Sequence, residues 1–445
     1  MPGHKSFEEL YKDTEFNNCL LNIDLTEIEG IDSVFYPNDS LKESQKNASN
    51  LYGTKESIFL VNGASVGIIA SIMTIVGEGD EIIIPRNAHR SIHNALLLNG
   101  AKPIYVMPEI DLCRGIAMGI SPLVIERAII NNPKVKAVLL AHPNFYGLCS
   151  DIECIAKIVK KYNKIFIVDE ACGAHFKFHE GLPISGIDAG ADIVIHGTHK
   201  NLPALTQSGM IHINTDSIDM DKLKKYLMIL QSSSPSYILL ASLEIALEII
   251  RSKGTDLFNS LFENINHFIE ELRKIDGIEY VTNNIVGKFN IANYDYSKVI
   301  INFNKLNVSG YQIERILRDK YGIQCELADS NNIILTFTIA DSKKIFTNIL
   351  IAIQETVTMF STTENKELSK NSWHLPELVF TPKEVWNKKS KQIKVAESIG
   401  RISMENISPF PPAVPIIREG ERIDKKVLEL LKIYQDIETI KVLAE

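Results

Sequence analysis

The chain has 445 residues, of which 45% are apolar and 23% charged, with a formal net charge of -8. That length exceeds what a single hydrophobic core fills, so two or three domains of an ordinary soluble globular protein are expected. The negative balance argues against nucleic acid or an anionic membrane as the main partner. The longest apolar runs, such as Ile68 to Val76, fall short of a membrane span.

Residues 1–50 are polar with scattered apolar positions and read as an N-terminal arm with short helices. The start, MPGHKSFEELYKD, lacks the apolar core of a signal peptide. The six cysteines (Cys19, Cys113, Cys149, Cys154, Cys172 and Cys325) form no CxxC and no paired framework. They read as free thiols, which predicts a cytoplasmic protein. From Ser57 onward, short apolar runs alternate with amphipathic stretches: SIFLV, EIIIP, KPIYV, KAVLLAHP, KIFIVDE, ADIVIHG and GMIHI. Runs of β-favouring residues separated by helical segments predict βαβ units around a mostly parallel sheet. This large domain spans 51–275 and closes in a long helical stretch from about 237. The pattern KVIINF, GYQIERILRDKYG, NIILTFTIA and KKIFTNILIAIQET predicts a second, smaller α/β domain over 276–361. A polar linker follows near 362–375. The rest, to 445, is a C-terminal domain with a Pro-rich stretch, SPFPPAVP, and a terminal helix from about Lys425 that packs back on the body.

A parallel sheet places its ligand at the carboxyl ends of its strands, and chemistry-bearing residues follow several of these runs. Asp169 ends KIFIV, and Lys200 follows ADIVI after a short turn. An acid and a lysine at two neighbouring strand ends suit pyridoxal phosphate: the amine condenses with the aldehyde, and the carboxylate keeps the pyridine nitrogen protonated. Alone, each residue fits equally a strand-end cap or a solvated surface lysine. In VNGASVGIIA, Gly63 permits close backbone approach, and the amides of Ala64, Ser65 and Val66 open a helix where a phosphate can sit. In PRNAHRS, after EIII, His89 is placed to lie against a planar ring. His175 and His179 are four apart, but FKFH alternates like a strand and no third ligand is evident, so no metal is expected.

Together these segments resemble the Orn/Lys/Arg decarboxylase family, pyridoxal-phosphate enzymes with the aspartate-aminotransferase fold (fold type I). The resemblance covers nearly the whole chain: PGHK (Pro2 to Lys5), DLTEIEGIDSVFYP (Asp24 to Pro37), VNGAS, RNAHRSIHNALLLNGAKPIYV, VDEACGAH, GTHKNLPALTQSG, SSSPSY (Ser232 to Tyr237) and GRISMENISPFPPAVPIIREGE (Gly400 to Glu421). It implies that Lys200 is the Schiff-base lysine, that Asp169 partners the ring nitrogen, and that Ala171 packs on the ring face opposite His89. Ser65, Thr198 and His199 would surround the phosphate, with His199 also a candidate proton donor. The Ser-rich turn, Ser232 to Ser234 with Ser233 at its centre, would reach a neighbouring subunit's site and imply a homodimer at least. The implied reaction is decarboxylation of lysine, arginine or ornithine. Glu405 and Asp329 are candidate acids for the substrate's distal cation. Four positions depart from the pattern. Ala64 and Val66 stand where the family usually has hydroxyl residues, and Gly197 where it has Ser. Cys172 stands where close relatives often carry His, and reads either as a packed thiol or as a change in proton handling. Two other readings stand beside decarboxylation: another reaction of the same cofactor (transamination, elimination or cyclisation) and a non-catalytic cofactor-binding homologue.

Overall fold

Alternation within the apolar runs builds the central sheet. In the computed structural model, which describes Lys5 and residues 22–362, 373–410, 412–433 and 437–444, helix α1 (Ser40–Tyr52) leads into strand β1 (Glu56–Leu60) and helix α2 (Gly63–Ile75). There follow β2 (Glu81–Pro85), α3 (Arg90–Asn99), β3 (Lys102–Val106), α4 (Pro122–Asn131), β4 (Ala137–Ala141), α5 (Ile152–Lys161), β5 (Ile165–Asp169), β6 (Ile193–His196) and β7 (Gly209–Ile213). The seven strands stand in the order β1-β7-β6-β5-β4-β2-β3. β7 runs antiparallel to both its neighbours and the other pairs are parallel. GMIHI is thus a reversed strand inside a mostly parallel sheet.

Side chains on successive strand residues face opposite ways. Ile58, Ile84, Leu139, Ile167, Ile195 and Ile211 belong to one buried cluster, packed with Val66, Ile68 and Ile92 of α2 and α3. Phe59, Ile83, Val138, Val168, Val194 and Met210 face the other way, toward Ala48 and Tyr52 of α1. Both faces are covered, which is why the strands read as continuous apolar runs.

Helix α6 (Met220–Leu230) precedes the long helix α7 (Tyr237–Leu272), three residues shorter than expected from the sequence. The small domain is a four-stranded antiparallel sheet of β8 (Glu279–Tyr280), β9 (Lys298–Asn302), β10 (Leu327–Ala328) and β11 (Asn332–Thr336), in the order β8-β9-β11-β10. Helices α8 (Gly310–Tyr321) and α9 (Lys343–Val357) cover it, α8 opening with a reciprocal Ser309–Gln312 capping box. In the C-terminal region, helix α10 (Lys425–Ile433) packs with the antiparallel pair β12 (Ser390–Lys394) and β13 (Thr439–Leu443) around its own core of Val395, Ile417, Val427, Leu431, Ile440 and Val442.

This region does pack back on the body, through one fully buried ion pair. Arg86, just past β2, donates from Nη2 to Glu421 Oε2 at 2.7 Å, and its Nη1 also bonds the same carboxylate. Arg418 returns a bond from Nη2 to the Arg86 carbonyl at 2.8 Å. One expectation fails: FKFH is no strand, since Phe176–Phe178 form a 3-10 turn. The segment follows a strand end and bends so that His175 meets Asp295 and His179 meets Asn259. Pro2 to His4, Cys19 and most of the linker lie outside the described residues. Cys113, Cys149, Cys154, Cys172 and Cys325 are free thiols, and no helix among the described residues is long and apolar enough to cross a membrane.

Candidate active site

The turns after β1, β2, β5 and β6 open at one edge of the sheet, because these four strands share a direction. After β1, Gly63 adopts φ +72°, a conformation that favours glycine, and its amide is held by the Gln207 carbonyl at 2.7 Å. Gln207 Nε2 in turn donates to the Val61 carbonyl at 2.6 Å. The loop after Lys200 thereby clamps the start of α2. The first amides of a helix have no partner within it, and this helix carries no acid in its first turn. Ala64 and Val66 are buried while Ser65 is exposed, so the Ser65 hydroxyl at this helix start is open to an anion.

After β2, His89 caps α3: its Nδ1 accepts from the Ser91 amide at 3.3 Å and meets Ser91 Oγ at 2.8 Å. Acceptance at Nδ1 assigns the neutral ring's proton to Nε2. Partial desolvation lowers the His89 pKa, with Lys200 and Arg90 pushing the same way and Asp169 opposing. At the end of β5, Asp169 is 6% exposed and accepts from the Ala171 amide at 3.2 Å. Burial raises its pKa, and the charges of His89 and Lys200 pull it back. His89, Asp169 and Lys200 therefore lie within one another's electrostatic reach.

After β6, Thr198–Lys200 make a single 3-10 turn. Thr198 is fully buried, and its Oγ1 has no hydrogen-bond partner among the described residues. A buried, unpaired hydroxyl is costly, and a phosphate oxygen is the kind of acceptor that would satisfy it. His199 Nδ1 lies 2.8 Å from the Ser208 carbonyl. A carbonyl only accepts, so Nδ1 carries the proton and Nε2 is left as the acceptor of the neutral ring. Lys200 is exposed, and its Nζ donates to Cys172 Sγ at 3.6 Å. Burial acts to lower its pKa, but Cys172, Asp169 and Glu326 outweigh that and raise it. Cys172 is therefore both packed and in contact with the lysine. The Gly197 departure has a steric reason: a Cβ there would lie 2.8 Å from the Ala171 carbonyl.

The two acids expected to grip the substrate are engaged elsewhere. Asp329 is fully buried, and its carboxylate accepts from the Asn331 and Asn332 amides at 2.7 Å and from Asn332 Nδ2 at 3.0 Å. It closes its own turn and is no open carboxylate. Glu405 accepts from the Lys441 amide at 2.6 Å, within the C-terminal region. Besides Asp169, the acid whose charge reaches Lys200 is Glu326, exposed just before β10 and the weakest of the influences that raise its pKa. Nothing in one sequence separates it from other surface glutamates. Ser232, Ser233 and Ser234 are exposed, with the Ser234 amide donating to Ser232 Oγ at 3.1 Å. No group of three or more His, Cys, Asp or Glu among the described residues could hold a metal.

The model of the "Orn/Lys/Arg decarboxylase, major domain" matches residues 1–345, and that of the "Orn/Lys/Arg decarboxylase, C-terminal domain" matches residues 365–440. The chain belongs to the Orn/Lys/Arg decarboxylase family. Within it, the chain is 33% identical over 432 residues to an arginine decarboxylase of Bacillus subtilis, covering 96% of this chain and 88% of that one. It is 28% identical over 259 residues to the lysine decarboxylase LdcA of Pseudomonas aeruginosa, covering 53% and 34% respectively. The solved structure of lysine decarboxylase A from Pseudomonas aeruginosa superposes with a TM-score of 0.84 at 19% identity, covering 100% of this chain and 78% of that one. Other solved structures, including a NifS-like protein (TM-score 0.57, 16% identity, 72% of this chain and 87% of that one), share the architecture more loosely. The α/β fold of this Orn/Lys/Arg decarboxylase chain is thus that of the solved lysine decarboxylases.

Proposed function

We propose that the chain decarboxylates a basic L-amino acid, with pyridoxal phosphate as its cofactor. The observation that carries this reading is the set of groups at one edge of the sheet: the Lys200 amine on Cys172 Sγ, the buried Asp169 at the adjacent strand end, the capping His89 and the unpartnered Thr198 hydroxyl. The residues fit the cofactor: Lys200 would hold it, Asp169 would pair with its ring nitrogen, and His89 and Ala171 would bracket the ring. Ser65, the Ala64 to Val66 amides and the unpartnered Thr198 hydroxyl would take the phosphate. When bound, pyridoxal phosphate supplies an electron sink for the bond that breaks at the substrate α-carbon.

The protein's own groups do the rest. A carboxylate in a dry site holds a proton on its partner more firmly than one in water, and Asp169 is so placed. Lys200 and the free Nε2 of His199 are the groups able to move a proton at the α-carbon. Glu326 would attract the substrate's distal cation, taking the part expected of Asp329 or Glu405. Names of the relatives support arginine ahead of lysine and ornithine. The exposed Ser232–Ser234 turn would complete the site of a second copy, in a homodimer or larger assembly.

The test is direct. The cofactor-loaded protein is given arginine, lysine and ornithine in turn, and carbon dioxide and amine are measured. Amine from at least one is expected. Cofactor-bound protein that yields none would exclude decarboxylation and turn attention to transamination, elimination or cyclisation, for which the Cys172 contact is the motive. In Glu326→Gln, loss of one charged contact predicts a fall in kcat/KM of about 10- to 100-fold for the preferred substrate, and an unchanged value would remove Glu326 from the site.

A further inference from the structure

On the face of the sheet opposite Asp169, four strands carry polar side chains in the midst of an apolar core. Ser57 of β1, His212 of β7, His196 of β6 and Glu170 just past β5 are all buried. Ser57 Oγ lies 2.8 Å from His212 Nδ1, His212 Nε2 lies 2.9 Å from His196 Nδ1, and His196 Nε2 lies 2.9 Å from Glu170 Oε1. At the outer end, Thr54 Oγ1 is 2.9 Å from Ser57 Oγ, and both residues line a surface cavity. At the inner end Glu170 also accepts from Ser185 Oγ at 2.8 Å and from the Gly186 amide. The Tyr52 ring covers both histidines, with centroids 5.1 and 4.4 Å away.

Such a row has two self-consistent states. With Glu170 ionised, His196 donates from Nε2 to Glu170 and must accept at Nδ1. His212 then donates from Nε2, and Ser57 donates to His212 Nδ1. With Glu170 protonated, every bond reverses. The protons balance: a water-derived proton replaces the one Ser57 hands to His212 Nδ1, His212 passes its Nε2 proton to His196 Nδ1, and His196 passes its Nε2 proton to Glu170 Oε1. No ring carries a net charge in either state.

We propose that Thr54, Ser57, His212, His196 and Glu170 form one directional proton-sharing chain, and that its ionised state makes Glu170 and His196 positioning residues for the reaction at Asp169 and Lys200. The link is short. Glu170 adjoins Asp169, His196 lies one turn before Lys200, and the backbones are zipped by the Glu170 amide to the Ile195 carbonyl at 2.9 Å and the Gly197 amide to the Ala171 carbonyl at 3.2 Å. Charge-assisted bonds are shorter and stronger than neutral ones, so ionised Glu170 holds the two strand ends more tightly than the neutral acid.

The surroundings agree with two neutral rings and a titrating acid. Burial pushes Glu170 up to about 7, opposed by His142, the Gly186 amide, Ser185 and His175. Burial takes His196 down to about 3, helped by His175, and takes His212 well below its ordinary value, helped by His196. The titratable groups facing Glu170 are His196 from β6, His142 past β4, His175 past β5, Cys149 and, from α1, Tyr52. His142 is engaged with the Ile184 carbonyl at 2.8 Å and His175 with Asp295 at 3.3 Å, which leaves His196 as the group sharing a proton with Glu170.

This rests on the decarboxylase reading for its effect on turnover, but its primary test needs no substrate. In holoenzyme carrying isotope-labelled histidine, NMR should find His196 and His212 both protonated at Nε2 above the midpoint and both at Nδ1 below it, changing together. Glu170→Gln should abolish the joint change. Ser57→Ala, the milder variant, removes the acceptor for His212 Nδ1–H, and an orphaned N–H is costlier than an orphaned acceptor. It should lower the midpoint by about one pH unit or more, a tenfold change in proton affinity. Rings that change separately, or a joint change that survives Glu170→Gln, overturn the proposal. With a turned-over substrate, kcat should fall about tenfold from pH 8 to pH 6 with the same midpoint and stay flat in Glu170→Gln, with KM little altered. The same limb in Glu170→Gln would refute the positioning role while leaving the decarboxylase reading intact; absence of amine would do the reverse.

Discussion

Asp169 and Glu170 are adjacent acids at the end of one strand, and burial raises the pKa of both. They face opposite sides of the sheet and meet different company. Asp169 shares its space with His89 and with Lys200, whose charges pull its pKa back down and which stands exposed to whatever enters. Glu170 bonds the His196 ring and is held by an amide and a hydroxyl. Burial alone therefore does not distinguish the two acids. What does is the partner set: an exposed lysine beside the acid on one face, a buried and hydrogen-bonded row of side chains on the other.

Four substitutions can break or sharpen this contrast. On the open face, Lys200→Ala should abolish attachment of the cofactor and lower amine formation more than about 10³-fold; visible absorbance of the bound cofactor and product analysis check it. The Arg86–Glu421 pair anchors the turn that leads to His89, and both side chains are fully buried. Glu421→Ala would strand the guanidinium, so stability should drop by about 3–5 kcal/mol in denaturant unfolding. Asp169→Asn should keep the cofactor and lose about 10²–10³-fold in kcat, because an amide cannot hold the ring nitrogen protonated.

The smallest effect comes from the closed face. The folded pKa of Glu170 lies above its unfolded value, so the folded state binds more protons between about pH 4.5 and 7. Its contribution is present at the acid end and lost as pH rises through that window. Glu170→Gln lacks this term, so its stability relative to the parent should improve by roughly 3 kcal/mol between pH 5 and pH 8. The histidines of lowered pKa work in the opposite sense, gaining stability as pH rises, and both proteins carry them. Unfolding curves at the two pH values decide it.

Much of this was legible in the residues. Seven apolar runs gave seven strands, and Asp169, His89, Lys200, Thr198 and the VNGAS turn sit at strand ends where runs of that kind leave them. The ends of strands are fixed by local pattern, and local pattern is what a sequence carries. Reversal of β7, the 3-10 turn in FKFH and the fate of Asp329 were not legible, because each depends on pairing or hydrogen bonds between distant segments or on the exact course of a turn.

By itself, then, the sequence determined the alternating α/β architecture, the lysine and acid at neighbouring strand ends, and membership of the family, since all of these follow from short-range order and shared motifs. Tertiary structure alone decided which acids remain open. Glu326 is 126 residues from Lys200 in the chain and Glu421 is 335 from Arg86, and no periodicity relates them. The buried row of Ser57, His212, His196 and Glu170 is of the same kind. Each of its members occupies an ordinary strand position, and only the strand order β1-β7-β6-β5 sets them side by side within hydrogen-bonding distance.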